Sequence, residues 1–142
     1  MERDNVDMMR DFGILLLRIG IGVLAVYHGF PKLMGGPQAW AGLGKAMGVM
    51  GITFAPQFWG FMAAFAEFFG GIAIITGFFM RPLCALLTFT MSVAALMHLG
   101  KGDGLQVASY AISMGVVYLS LIFIGPGSYS FGPKCGCGRR SL

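Results

Sequence analysis

The chain has 142 residues, of which 56% are hydrophobic and only 11% charged. Soluble domains carry about 25% charged residues, so the composition excludes an ordinary water-soluble fold and indicates an integral membrane protein. The formal net charge of +4 comes from scattered basic residues without a basic run or patch, which does not indicate nucleic-acid binding.

A polar start, MERDNVDMMRD, precedes the first apolar segment and is expected to be frayed or interfacial. A spanning helix needs about 20 mostly apolar residues, and residues 12–31 meet that requirement. This segment is not expected to be a cleaved signal peptide, because it has no small-x-small cleavage site and further apolar segments follow. It carries Arg18 and leads into His28 and Lys32, which share one helix face at i, i+4. The small residues on that side are Gly22, Ala25 and Gly29.

The connection from Pro31 to Ala55 is rich in glycine and too polar to span a membrane. Its apolar residues recur at helical spacing, which predicts a short amphipathic helix on the membrane surface. A loop helix packed on the mouth of the bundle fits the same pattern. The residues of this pattern are Trp40, Leu43, Met47 and Met50.

The second spanning segment, residues 57–79, contains a single carboxylate, Glu67. A charge at membrane depth costs on the order of 2.5–3.5 kcal/mol. Small residues lie on the Glu67 face and large apolar ones on the opposite face. Because small residues let helices approach closely, we expect Glu67 to face the bundle interior. The matching stripes of the first two spans predict that these helices pack face to face.

The third span is predicted over 82–99, with His98 near its end, and the fourth over 105–124. The Gly125-Pro126-Gly127 turn stops the fourth helix, and the tail, residues 128–142, is expected to be an exposed extension after Ser130. The whole chain, 1–142, is therefore predicted to be one all-α domain, a bundle of four transmembrane helices with a short interfacial helix between the first two.

Four spans place both termini on the same side of the membrane. The positive-inside rule then predicts both termini in the cytoplasm of a bacterium, with the protein in its cytoplasmic (inner) membrane. The basic residues on the terminal side are Arg3, Arg10, Arg81, Lys134, Arg139 and Arg140, and those on the other side are Lys32, Lys45 and Lys101.

Three cysteines give no disulfide framework. Cys84 lies in an apolar segment and is expected to be a small packing residue. Cys135 and Cys137 form a Cys-x-Cys in the tail, a weak metal or redox signal, since no other Cys or His cluster supports a zinc site. We therefore predict no metal site.

The polar residues of the spans allow two arrangements. Arg18 and Glu67 could form an intramembrane ion pair, whose simplest role is to fix helix register. Alternatively, His28, Lys32 and His98 could line an outward-opening pocket together with the carboxylate. Such groups can relay protons or hydrogen-bond a quinone carbonyl. For each histidine alone, an interfacial structural role is the simpler interpretation.

Five segments carry a family resemblance in their order and spacing. The chain resembles the DoxX family of small bacterial membrane proteins along nearly its whole length. The matching segments are LLLRIGIGVLAVYHGFPKL (15–33), GG-PQAW-AGLGKAMGVMGI (35–52), AEFFGGIAIITGFFMRP (66–82), MSVAALMHLGKG (91–102) and GPGSYSF (125–131).

The resemblance implies a four-helix membrane bundle linked to redox complexes. The family is named after a subunit associated with a terminal quinol oxidase and thiosulfate:quinone oxidoreductase. Members often carry an Asp soon after the Gly-Pro-Gly turn, whereas here Phe131 is followed by Gly132. The Cys-x-Cys tail is also outside the usual pattern. The family's recurrent positions correspond to Arg18, His28, Lys32, Glu67, Gly71, Arg81, Gly125, Pro126 and Gly127, of which the glycines, Arg81 and Pro126 are expected to be structural.

Two functional hypotheses follow. The chain could be a redox-associated subunit that binds quinone in the bundle, with the electron carrier on a partner, because it has no haem, flavin or iron–sulfur signature. It could instead be a structural or assembly subunit whose polar residues fix helix packing. Neither requires the chain itself to be an enzyme, and both predict partner membrane subunits or a homo-oligomer in the bilayer. Transport by four helices without a visible internal repeat is a weaker third option.

Overall fold

The computed structural model describes residues 2–131, with side chains from residue 4 onward. These residues form five α-helices and one 3-10 helix, and this part of the chain contains no strand. The helices are α1 (Glu2–Met34), α2 (Gly36–Gly44), the 3-10 helix (Lys45–Met50), α3 (Pro56–Thr76), α4 (Met80–Lys101) and α5 (Leu105–Ile124).

Four of these helices, α1, α3, α4 and α5, are long and apolar enough to cross a membrane. The all-α architecture, the four spans and the short helix after the first span are therefore confirmed. α1 packs against α3, α3 against α4, and α4 against α5. The side chains of α1 and α5 also meet, where the His28 and Tyr110 rings lie 5.6 Å apart.

The helix boundaries differ from the expected spans in α1 and α3, and α4 extends two residues further at each end than the expected 82–99. α1 begins at Glu2 rather than at residue 12, so the polar start is helical and not frayed. α1 also continues through Pro31 to Met34. α3 ends at Thr76 rather than at 79, because Gly77 adopts a left-handed conformation with φ 76°.

Glycines bring the backbones of α1 and α3 into direct contact. A Cβ atom added to Gly22 would lie 2.8 Å from the carbonyl oxygen of Gly71, and one added to Gly71 would lie 2.8 Å from the backbone nitrogen of Val26. A Cβ on Gly29 would collide with the backbone nitrogen of Phe68. The predicted face-to-face packing of the two small-residue stripes is confirmed, because only glycine leaves room for this approach.

The segment between α1 and α3 folds across the end of the bundle. Gly44 lies against the Pro56 carbonyl, and Gly60 of α3 lies against the backbone of Trp40. The Trp40 indole donates a hydrogen bond to the Lys32 carbonyl oxygen at 3.0 Å. The helix of the connection is thus packed on the bundle mouth, as the second of the two expectations had it.

A compact apolar core lies mainly between α4 and α5, with a contribution from α3. Cys84 is fully buried within it, which agrees with a packing role. Its largest fully buried members are Tyr118, Ile74, Met80, Leu87 and Leu121.

We predict that Gly29→Ala lowers the free energy of unfolding by about 1–3 kcal/mol, because the added methyl group collides with the α3 backbone. The matched control is Gly20→Ala, where no atom of another residue lies within 4 Å of the new Cβ. That variant should keep or slightly raise stability, since alanine favours the helix. Unfolding in mixed micelles followed by circular dichroism measures both, and equal stability of the two variants would contradict the close contact.

Candidate ligand-binding site

Arg18 is 1% exposed, and its hydrogen bonds within residues 4–131 go to backbone carbonyl oxygens. Its Nε donates to Ile74 at 2.8 Å and its Nη2 to Ile75 at 2.8 Å. Its Nη1 donates to Pro126 at 2.6 Å and to Tyr129 at 2.5 Å. The last carbonyls of a helix lack partners within the helix, and a cation is favourable at that end. Arg18 therefore joins α1, the end of α3 and the chain beyond α5.

The alternative of an ion pair between Arg18 and Glu67 is wrong. The two helices run antiparallel with Gly22 against Gly71, so Arg18 lies opposite the end of α3, about two turns from Glu67. The partner of Glu67 is Lys32, whose Nζ lies 2.6 Å from both carboxylate oxygens.

The segment after α5 folds back under the bundle. The Phe131 N–H donates to the Thr76 carbonyl at 3.0 Å, and the Ser128 hydroxyl donates to the Asp11 carboxylate. Residues 128–131, the start of the tail, are therefore tied to α1 and α3, and the Phe131 side chain, beyond Ser130, is 90% exposed. Cys135 and Cys137 lie outside the described residues.

The residues expected to be structural lie at close contacts. Gly125 ends α5 with φ 78°, and a Cβ there would lie 3.2 Å from the Arg81 guanidinium. Gly127 also has positive φ, and the intervening Pro126 supplies one carbonyl to Arg18.

The Lys32–Glu67 pair lies at the inner end of a cavity. Glu67 is 3% exposed, whereas the Lys32 side chain is about one-third exposed. Lys32 reaches Glu67 because α1 continues past Pro31. A buried carboxylate is very costly unless it is paired and hydrogen-bonded, and both conditions are met here.

The cavity has a volume of about 720 Å³ and lies between α3 and α4, beneath α2 and the 3-10 helix. Its walls are mainly apolar and aromatic, with contributions from Met47, Phe58, Met62, Phe89, Val93 and Met97. The polar and charged side chains that line it are Lys32, Trp59, Glu67, Thr90, His98 and Lys101.

The antiparallel register of α3 and α4 arranges these polar side chains at two levels. A Cβ on Gly70 would lie 2.6 Å from Leu87, and counting outward from that contact places Glu67 level with Thr90. About two turns further out, Trp59 is level with His98. The indole Nε1 of Trp59 is buried and has no hydrogen-bond partner within residues 4–131. A buried donor of this kind is costly to leave unpaired.

The sequence analysis did not select Trp59 or Thr90. Trp59 precedes Glu67 by eight residues in the same helix, and Thr90 precedes His98 by eight. A spacing of eight residues corresponds to about 80° around a helix, so each lies near the face of a selected residue. This spacing from Glu67 and His98 is the sequence feature that could have identified Trp59 and Thr90 as site residues.

The two histidines lie in different places. His98 lines the cavity, and its Nδ1 lies 2.9 Å from Asp103 Oδ2. His28 is exposed on the outside of α1, where its ring meets Tyr27 and Tyr110 edge-on at 5.5 and 5.6 Å. The expectation that His28 shares a pocket with Lys32, Glu67 and His98 is therefore wrong, because Lys32 lies one helical turn further along α1 and its long side chain bends inward.

Comparison with known proteins agrees with this architecture. The DoxX family model matches residues 13–99 of the chain. The chain belongs to the DoxX family. It is 32% identical over 126 residues to the inner membrane protein YqjF of Escherichia coli K12, covering 86% of this chain and 91% of that protein. It is 31% identical over 137 residues to the inner membrane protein YphA of the same organism, covering 84% and 92%. No solved structure matches the chain.

The family match covers the candidate site only in part. Arg18, Lys32, Glu67 and His98 lie within the matched residues of this DoxX-family integral membrane protein. The tail carbonyls that accept from Arg18, and the Asp103 carboxylate, lie beyond them.

We predict that Arg18→Lys lowers the free energy of unfolding by about 2–4 kcal/mol, because an ammonium group cannot reproduce the fork of donors to four carbonyls. Hydrogen exchange of residues 125–131 should increase at the same time. Arg10→Lys, at a position about two-thirds exposed, is the control and should change neither quantity. Unchanged protection of the tail in Arg18→Lys would contradict this role.

We further predict that Lys32→Met lowers the free energy of unfolding by about 2–4 kcal/mol, because it leaves Glu67 buried without its counter-charge. The double variant Lys32→Met/Glu67→Met should recover most of that loss, since both charges are gone. Equilibrium unfolding of the two variants in micelles measures this coupling. A double variant that is as unstable as the single one would show that the pair has no energetic coupling.

Proposed function

We propose that this DoxX-family protein is a membrane subunit of a redox-linked complex, and that it binds a quinone or quinol in the cavity between α3 and α4. The observation that carries the proposal is a cavity between two candidate membrane spans, with apolar walls and a hydrogen-bond donor that has no partner within residues 4–131. The proposed location is the cytoplasmic membrane of a bacterium, with both termini in the cytoplasm, so that the cavity opens toward the other side.

The size and walls of the cavity suit a quinone. Ligand pockets usually have volumes of about 300–1,000 Å³ and predominantly apolar linings, and a volume of about 720 Å³ lies within this range. Phe58 and Phe89 offer aromatic surface to a flat ring. An isoprenoid chain would find apolar surface at Met47 and Met97.

The polar groups suit the quinone oxygens. The oxidised ring presents only acceptors, and the Trp59 indole is a donor without a partner among the described residues. A quinone carbonyl at the level of Trp59 and His98 would satisfy that donor. The deeper Lys32–Glu67 pair places charges at the inner end of the cavity. The electrons of a bound quinone are proposed to be exchanged with a redox centre on a partner subunit.

The binding test uses the full chain, purified gently from its native membrane. We expect quinone to copurify at close to one molecule per chain, and decylubiquinone to bind the quinone-depleted protein. Trp59→Phe keeps an aromatic ring and removes the donor, so the affinity should fall about two- to tenfold, the value of one net hydrogen bond.

Tyr27→Phe is the matched control, because it removes one polar group from an exposed aromatic side chain outside this cavity. Its affinity for decylubiquinone should equal that of the unaltered protein. Absence of copurified quinone together with no binding of the probe would overturn the proposal.

A structural or assembly subunit is the second candidate, and the bonding of Arg18 favours it. All the hydrogen bonds found for this charged group go to the backbone, which is a packing role. If Glu67 has the same kind of role, Glu67→Gln should prevent accumulation of the protein. If the quinone role holds, Glu67→Gln should accumulate normally and lose quinone-dependent function of the complex.

A further inference from the structure

His98 and Asp103 form a side-chain pair at the mouth of the cavity. The Nδ1 of His98 lies 2.9 Å from Asp103 Oδ2, and the Asp103 backbone N–H donates to the His98 carbonyl at 3.1 Å. Gly102 and Gly104 flank the aspartate with φ of 78° and 85°. These left-handed glycines turn the chain sharply, so the loop places the Asp103 carboxylate beside the His98 imidazole.

This contact defines what the other ring nitrogen of His98 can do. A carboxylate at Nδ1 holds a proton on that nitrogen. The Nε2 atom is then an acceptor in the neutral ring and a donor in the charged ring. Since His98 lines the cavity, Nε2 is the ring atom available to a ligand there.

Quinones and quinols differ in the same property. An oxidised quinone presents carbonyl oxygens, which only accept hydrogen bonds, whereas a quinol presents hydroxyl groups, which donate them. Charged His98 therefore complements the quinone, and neutral His98 complements the quinol. Histidine is the side chain whose ordinary charge change falls between pH 5 and 8.

We propose that the His98–Asp103 pair sets which oxidation state of the ligand the cavity prefers, in a pH-dependent way. Asp103 is the positioning residue, which fixes the tautomer of His98 through its contact with Nδ1. This inference rests on the proposed quinone-binding function and adds that His98 distinguishes the quinone from the quinol.

The other charges around His98 do not present the same choice to a ligand. Lys101 carries donors only, and Lys32 and Glu67 are bound to one another at the inner end of the cavity. The other charged groups that line the cavity are Lys32, Glu67 and Lys101. Asp103 lies in the adjoining loop, and Lys45 on the 3-10 helix is exposed and does not line the cavity.

The experiment measures the affinities of decylubiquinone and decylubiquinol for the full chain in lipid nanodiscs, without oxygen, between about pH 5.5 and about pH 8. We expect the ratio of the two dissociation constants to change about tenfold across this range, in favour of quinone at the acidic end, as one charge-assisted hydrogen bond predicts. His98→Gln should remove this change, because glutamine offers a donor and an acceptor at every pH.

Asp103→Asn removes the counter-charge and keeps the size of the side chain and the backbone hydrogen bond. The introduced amide can donate to or accept from Nδ1, so the tautomer of His98 is no longer fixed and the affinity ratio should change by less than about tenfold over the same pH range, whereas a purely structural role for Asp103 would leave the full change. His28→Gln is the matched control, because His28 lies outside this cavity, and it should keep the full pH dependence.

The outcomes separate this inference from the function on which it rests. Binding of neither probe to the unaltered protein would overturn the quinone-binding proposal and this inference with it. Binding of both probes, with an affinity ratio independent of pH or with the same pH dependence in His98→Gln, would overturn this inference alone.

Discussion

The guanidinium of Arg18 lies where three parts of the chain meet, and its hydrogen bonds define the closed end of the bundle. α3 ends at Thr76 with carbonyls that have no partner in the helix, and the segment after α5 returns to the same place. One planar cation with five donors can satisfy oxygens from both segments at once. The close contact of α1 and α3 holds the cation there, since glycine at positions 22 and 71 lets the two backbones touch.

The register of that contact has an effect at the other end of α1. With Gly22 fixed against Gly71, the last turn of α1 lies beside the middle of α3, and Lys32 reaches Glu67. The carboxylate is thereby neutralised within the bundle without approaching Arg18. The two charged groups of the interior thus have separate environments, one made of backbone carbonyls and one made of a lysine beside a cavity.

Much of the architecture follows from the sequence alone. Segments of about 20 apolar residues give the four spans, and the coincidence of small and polar residues on two helices gives their packing faces. The sequence could not predict the hydrogen-bond acceptors of Arg18, because two of them are backbone oxygens more than 100 residues away along the chain. Every residue type has a backbone carbonyl, so the sequence does not show which of them accept hydrogen bonds.

The misplacement of His28 has a different cause. Helical spacing sets His28 and Lys32 on one face, but the long lysine side chain bends inward while the short imidazole stays beside Tyr27 and Tyr110. The sequence does not single out Trp59 as a site residue, because tryptophan near a helix start is common at a membrane interface. The burial of its N–H, with no acceptor in the part of the chain that the structure describes, distinguishes it.

The cavity extends through part of the length of the bundle. Its lining reaches inward no further than the level of Glu67 and Leu86, and below that level the space is filled by core side chains such as Ile74, Met80 and Leu121. The Arg18 junction closes the bundle beneath them. The apolar side chains between the cavity and the Arg18 junction oppose the passage of protons and ions, because a charge is costly to bury among them. A ligand bound in the cavity would therefore exchange protons through the mouth beside His98, at the end of the bundle opposite the Arg18 junction.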